Sequence, residues 1–116
     1  MRYLVLSDIH ANIQALDAVL DDARIIGFDA VLVLGDLVGY GADPEPVIDR
    51  TMALEAVAIV RGNHDKVCAG LESTLNFNDA ARISAEWTSS ILGPQYVAIL
   101  RDLPKGPRLV NEAIEI

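Results

Sequence analysis

Three polar clusters stand behind short apolar runs in the first 65 residues: Asp8-Ile9-His10, Gly35-Asp36 and Arg61-Gly62-Asn63-His64-Asp65. Carboxylate and amide oxygens combined with imidazole nitrogens suit hard or borderline divalent ions such as Mn, Fe or Zn. No thiolate joins them, because the single cysteine, Cys68, reads as a small buried hydrophobe. Asp8 and His10 alternate along what reads as an extended segment and can reach one ion together. Asp36 has two oxygens and can bridge two ions roughly 3.5–4 Å apart. Asn63 offers a neutral oxygen to the second ion. His64 then stands beside the metals as a proton donor or phosphate contact, with Asp65 fixing its tautomer. Gly35 and Gly62 let the backbone come close to the ions. Taken singly, each cluster has an ordinary reading. Asp8 could cap a turn, Asp36 could simply leave a strand, Asn63 and Asp65 favour turns, and Arg61 could face solvent. Taken jointly, they favour a site.

These clusters meet only if the preceding runs are neighbouring strands. Tyr3–Leu6, Ala30–Leu34 and Ala56–Val60 are apolar runs of the kind buried on both faces of a sheet. Between the first two, Ile13, Leu16, Val19, Leu20 and Ala23 recur at helical spacing, with Asn12 as cap and Gly27 as stop. Pro44 or Pro46 starts a second helix with Val47, Ile48 and Met52 on one face. The pattern predicts an α/β fold with a parallel βαβαβ sheet, whose strand carboxyl ends share one edge. Further on, Asn78 or Asp79 caps a helix whose apolar face would carry Ala81, Ile83, Trp87 and Ile91. Gly93-Pro94 opens a short helix through Leu100. Leu109-Val110 and Ala113–Ile116 read as the start of a hairpin. Trp87 and Tyr96 are expected in the core, and Asp17, Asp21 and Asp22 on a solvated helix face. The pattern stops inside a strand, so residues 1–116 are expected to form a single incomplete domain.

With 116 residues and 52% hydrophobic content, the chain has material for one packed core. Its net charge of -8 argues against a general nucleic-acid binder, which needs a basic face. A phosphate substrate stays compatible, since bound cations reverse the sign locally. No apolar run approaches the roughly 20 residues of a membrane span, and no disulfide can form within the chain. A cytoplasmic protein without membrane or nucleic-acid partners is expected.

The order Asp8-x-His10, Gly35-Asp36, Gly62-Asn63-His64-Asp65 resembles the calcineurin-like metallophosphoesterases, well over residues 2–65 and loosely beyond. Gly35-Asp36-Leu37-Val38-Gly39-Tyr40-Gly41 followed by Asp43-Pro44 is similar to the small bacterial branch of that family. The resemblance implies the N-terminal part of a four-layer α/β/β/α sandwich. It implies two divalent ions, with Asp8 and His10 on one, Asp36 bridging and Asn63 on the other. It further implies His64 near the scissile phosphate and Arg61 touching phosphate. Hydrolysis of phosphate mono- or diesters by metal-activated water follows from it. Family members carry further histidines later in the chain, one after a strand and two in a Gly-His-x-His motif. This sequence has only His10 and His64. Weak activity at most is therefore expected of it, together with self-association through apolar surface left open. A non-catalytic metal-binding or interaction module, and a nuclease of the same family, are the alternative readings.

Overall fold

The computed structural model describes residues 1–116. Three parallel strands, β1 (Tyr3–Leu6), β2 (Ala30–Val33) and β3 (Ala58–Ile59), lie in the order β1-β2-β3. Leu4 sits opposite Val31, Leu6 opposite Val33, and Val33 opposite Ile59. β3 is shorter than its apolar run, yet backbone bonds from Val57 to Val31 and from Val60 to Val33 extend the pairing at both ends.

The crossovers are α1 (Ile13–Ile26) and α2 (Pro44–Met52). Asn12 caps α1 by accepting from the Ala15 N–H at 3.0 Å, and Gly27 ends it at φ +87°. Pro44 is the first residue of α2 and Pro46 the third, so both lie in the first turn, where a missing N–H costs nothing. Val47, Ile48 and Thr51 form the buried stripe of α2, so Met52 lies outside it and is exposed.

One sheet face, carrying Leu4, Leu6, Val31, Val33 and Ile59, packs with Leu16, Leu20, Val47 and Ile48 into a core shared with the later helices. The opposite face is less covered: Val5 is 52% exposed. The expectation of strands buried on both sides thus holds at the centre of the sheet, where Leu32 and Ala58 are buried on this second face, and fails for the edge strand β1. Asn111 reaches Tyr3 from the C-terminal segment, which covers part of this face.

A helix that the sequence reading did not anticipate, α3 (Asn63–Cys68), starts directly after β3. α4 (Asp79–Ile91) follows, capped by Asn78 Oδ1 accepting from the Ala81 N–H, and then α5 (Pro94–Asp102). α4 buries Ala81, Ala85 and Thr88, leaving Ile83, Trp87 and Ile91 exposed. Of the expected apolar face only Ala81 is buried, and Trp87 lies outside the core. Small residues let α4 lie close on α3, where Ser89 Oγ donates to the Cys68 carbonyl. Tyr96 is half-buried rather than core, and its hydroxyl donates to Asp49 at 2.8 Å. The expected hairpin is short: Leu109 and Glu115 form an antiparallel bridge, flanked by reciprocal bonds between Arg108 and Ile116 and by the Val110 N–H donating to the Ile114 carbonyl. No helix is long and apolar enough to cross a membrane.

Candidate metal centre

After β1 the chain curls instead of running extended. Asp8, His10 and Ala11 have φ of +55°, +49° and +54°. Left-handed backbone costs such residues about 1–2 kcal/mol each. The turn is held by bonds to the loop after β2: Asp8 N–H to the Gly35 carbonyl, His10 N–H to that of Asp36 and Ala11 N–H to that of Leu37, at 3.1, 3.0 and 2.7 Å. This corrects the extended reading of the triplet, but its two side chains still converge: His10 Nε2 lies 3.4 Å from Asp8 Oδ1. His10 Nδ1 stands 2.9 Å from the Val38 carbonyl, which only accepts, so Nδ1 carries the proton and Nε2 is left as donor to a metal. The Ser7 hydroxyl, bonded to Asp8 at 2.5 Å, lowers the Asp8 pKa below the usual carboxylate range.

Asp36 also sits at positive φ, +55°. Its Oδ1 accepts from the His64 N–H at 3.0 Å. A Cβ on Gly62 would collide with the Asp36 backbone nitrogen and carboxylate, and one on Gly35 would strike the Gly62 backbone. The close approach these glycines permit is between the loops after β2 and β3, where the sequence reading had placed an approach to the ions.

His64 is 7% exposed and its Nδ1 has no hydrogen-bond partner. Its ring lies among those of His10, Tyr40 and Phe77, with centroids 4.9, 4.8 and 4.7 Å away. Burial lowers its pKa, with the Asp36 charge opposing, so the ring is neutral near pH 7. Nothing in the sequence pattern pointed to Phe77, which joins through the loop before α4.

Asp65 does not orient His64, and this corrects the sequence reading. Its carboxylate accepts four backbone N–H bonds: Gly62 and Asp36 on Oδ2 at 2.9 and 2.8 Å, Leu37 and Val38 on Oδ1 at 2.8 and 3.2 Å. Burial pushes its pKa up to about 6, against those bonds. It is a positioning group that ties the loop after β2 to the start of α3. The signal was present in the sequence, since an acidic residue three positions after a helix N-cap reaches back to the cap N–H.

His10, Asp36 and His64 each offer one ligand atom within 4.8 Å of the others. His64 therefore belongs with the candidate donors as well as with the groups expected to meet phosphate. Asp8 joins this group through its contact with His10. Asn63 is exposed at the start of α3. Arg61 is half-buried; its N–H donates to the Pro104 carbonyl and its guanidinium pairs with no carboxylate of the chain. Oxygen and imidazole donors with an orphaned buried Nδ1 fit a borderline divalent ion, and the Cys68 thiol, pushed up to about 12 by burial, stays protonated and outside the donor set.

This fold and site define a metallophosphoesterase-type α/β domain. The chain belongs to the calcineurin-like phosphoesterase family, which it matches over residues 1–106. A metallophosphoesterase from Sphaerobacter thermophilus is similar to it in structure, with 42% identity and a TM-score of 0.73, covering 90% of this chain and 42% of that one. A hypothetical protein from Pyrococcus horikoshii gives 26% identity and a TM-score of 0.74, over 89% of this chain and 48% of that one. An uncharacterised protein of Methanocaldococcus jannaschii is 39% identical over 100 residues, 86% of this chain and 41% of that protein. The chain thus spans less than half the length of each of these relatives.

Proposed function

We propose that this chain contributes part of a dinuclear metal site that hydrolyses phosphate mono- or diesters. The observation that carries the reading is the convergence of His10, Asp36 and His64 from three separate strand ends. Asp8 and His10 would hold one ion, Asp36 would bridge, and Asn63 would serve the second. Bound divalent ions supply Lewis-acid activation of water and of the phosphoryl oxygens. The Val38 carbonyl keeps the His10 proton on Nδ1. Asp36 keeps one oxygen on the His64 N–H, which fixes the start of α3 against the site. His64, held neutral by burial, hydrogen-bonds the phosphoryl or leaving-group oxygen, and Arg61 adds positive charge beside it. Asp65 acts only through the backbone.

In this reading residues 1–116 are the N-terminal part of a larger sandwich domain, and further ligands come from chain that the relatives carry outside the matched stretch. Mn, Fe or Zn would serve as the ion, and the protein is proposed to work in the cytoplasm. Calorimetric Mn titration of this chain, with turnover of 4-nitrophenyl phosphate, tests the proposal. Weak Mn binding that His10→Ala abolishes, with slow turnover, is the expected result. Mn binding that His10→Ala and Asp36→Asn leave unchanged would sink the site. Binding at these residues without any turnover would make the chain a metal-binding module instead.

A further inference from the structure

Beside the candidate metal centre runs a second groove of about 450 Å³, lined by Tyr40, Gly41, Ala42, Ala80, Ile83, Ser84 and Trp87. We infer that it is a leaving-group subsite, and that the phosphate esters taken by this protein carry a flat, apolar alcohol, an aryl group or a base-like ring. The inference rests on the phosphoesterase reading above.

Continuity with the centre is the first ground. Tyr40, Gly41 and Ala42 line both this groove and the one that holds Asp8 and His10. The Tyr40 ring lies 5.0 Å from that of His10 and 4.8 Å from that of His64, and is still 49% exposed. An ester whose phosphoryl group sits at those histidines therefore has its alcohol portion next to Tyr40.

The second ground is charge. None of the seven lining residues is charged, in a chain that is 22% charged with a net -8. A sugar or polyol leaving group would find one hydroxyl there, that of Ser84, apart from the phenol, and Ser84 Oγ is already engaged with the Tyr40 N–H and the Ala81 carbonyl. A flat ring instead meets Tyr40, Ile83 and the indole of Trp87, the kind of surface on which aromatic groups stack.

The third ground is the construction of α4. Its small residues face inward, so Ile83 and Trp87 stay 58% and 44% exposed on the side turned to the groove. Tyr40 holds a left-handed backbone, φ +59°, and its N–H is fastened to Ser84 on α4. The loop that touches the histidines is thereby fixed to the helix that supplies the apolar wall.

Trp87 is the only tryptophan, so its indole N–H gives one signal in a proton–nitrogen correlation spectrum. Phenyl phosphate should shift that signal, and methyl phosphate at equal concentration should leave it in place. With Mn, the ratio of kcat/KM for phenyl over methyl phosphate should fall at least roughly tenfold in Ile83→Ser and in Trp87→Ser, as for loss of a small apolar contact. An indole silent to phenyl phosphate, or moved equally by both esters, would overturn the subsite. So would turnover of both esters with an unchanged ratio in the variants, and that result would leave the hydrolase reading standing. An indole that answers phenyl phosphate in a chain without any turnover would keep the subsite and remove the hydrolase. An indole signal that broadens with protein concentration and ignores phenyl phosphate would assign this face to a second copy of the chain and overturn the inference.

Discussion

Replacement of Asp65 by alanine should cost the fold roughly 4 kcal/mol. The carboxylate is fully buried and accepts from the N–H groups of Gly62, Asp36, Leu37 and Val38 at 2.8–3.2 Å. Hydrogen bonds to a charged group contribute roughly 1.5–3 kcal/mol each. Four at the low end amount to about 6–8 kcal/mol. Burial of the charge opposes those bonds strongly enough to raise the carboxyl to about 6, and its removal together with loop relaxation offsets part of the loss, which leaves roughly 4 kcal/mol, the upper end of single-substitution effects. That loss is a large share of the 5–15 kcal/mol typical of a whole domain. Asp65→Asn keeps one accepting oxygen and hence two of the four bonds, so it should fall between wild type and Asp65→Ala. The assay is urea unfolding at pH 8 with chelator present, read as a change in midpoint at constant slope. An Asp65→Ala protein within about 1 kcal/mol of wild type would refute the backbone-clamp account. If that variant instead displaced the His64 ring titration at unchanged stability, the tautomer-fixing role would be restored.

Three further outcomes are expected. Thr51→Val should stabilise the chain by about 1 kcal/mol in the same assay, because the Thr51 hydroxyl is buried without a partner and valine keeps its shape; a loss of stability would show that the hydroxyl is satisfied. Cys68, buried with its thiol pushed up to about 12, should resist iodoacetamide at pH 8 unless urea is added. Because that pKa is raised above the unfolded value, its contribution to stability is full below pH 9 and declines as pH climbs toward 12, a decline that Cys68→Ala should flatten. Asp36→Asn should weaken Mn binding at least tenfold and Asn63→Ala less, since a bridging carboxylate neutralises both ions; calorimetry giving the opposite order would refute the bridging assignment.

The frame of the site was legible because period and composition carry it. The three apolar runs became adjacent parallel strands, and Asn12, Gly27 and Asn78 mark the helix ends that their chemistry predicts. What escaped was decided by packing partners that periodicity does not name. On α4 the largest apolar residues were the natural choice for the buried face. The neighbour was α3, however, and close contact with it favoured Ala81 and Ala85. Asp65 was misread because two carboxylate jobs look alike in sequence: one orients a histidine, the other satisfies a row of N–H groups.

The same distinction explains how the site keeps its shape. Asp8, His10, Ala11 and Asp36 all hold left-handed backbone, together about 4–8 kcal/mol above relaxed conformations. Strain of that size persists only where neighbouring bonds over-determine it. Here the loop after β1 hangs on the carbonyls of Gly35, Asp36 and Leu37, and the loop after β2 hangs in turn on Asp65. The backbone of the three strand ends is thus positioned by hydrogen bonds from main-chain N–H groups rather than by the donor side chains of His10 and His64. Metal affinity and fold stability should therefore separate in mutants: His10→Ala should lose Mn while keeping its urea midpoint within about 1 kcal/mol equivalent, and Asp65→Ala should lose both. Parallel Mn calorimetry and urea unfolding on the two variants decide it, and a His10→Ala chain that unfolds as readily as Asp65→Ala would mean that the strained loops depend on the ligand side chains themselves.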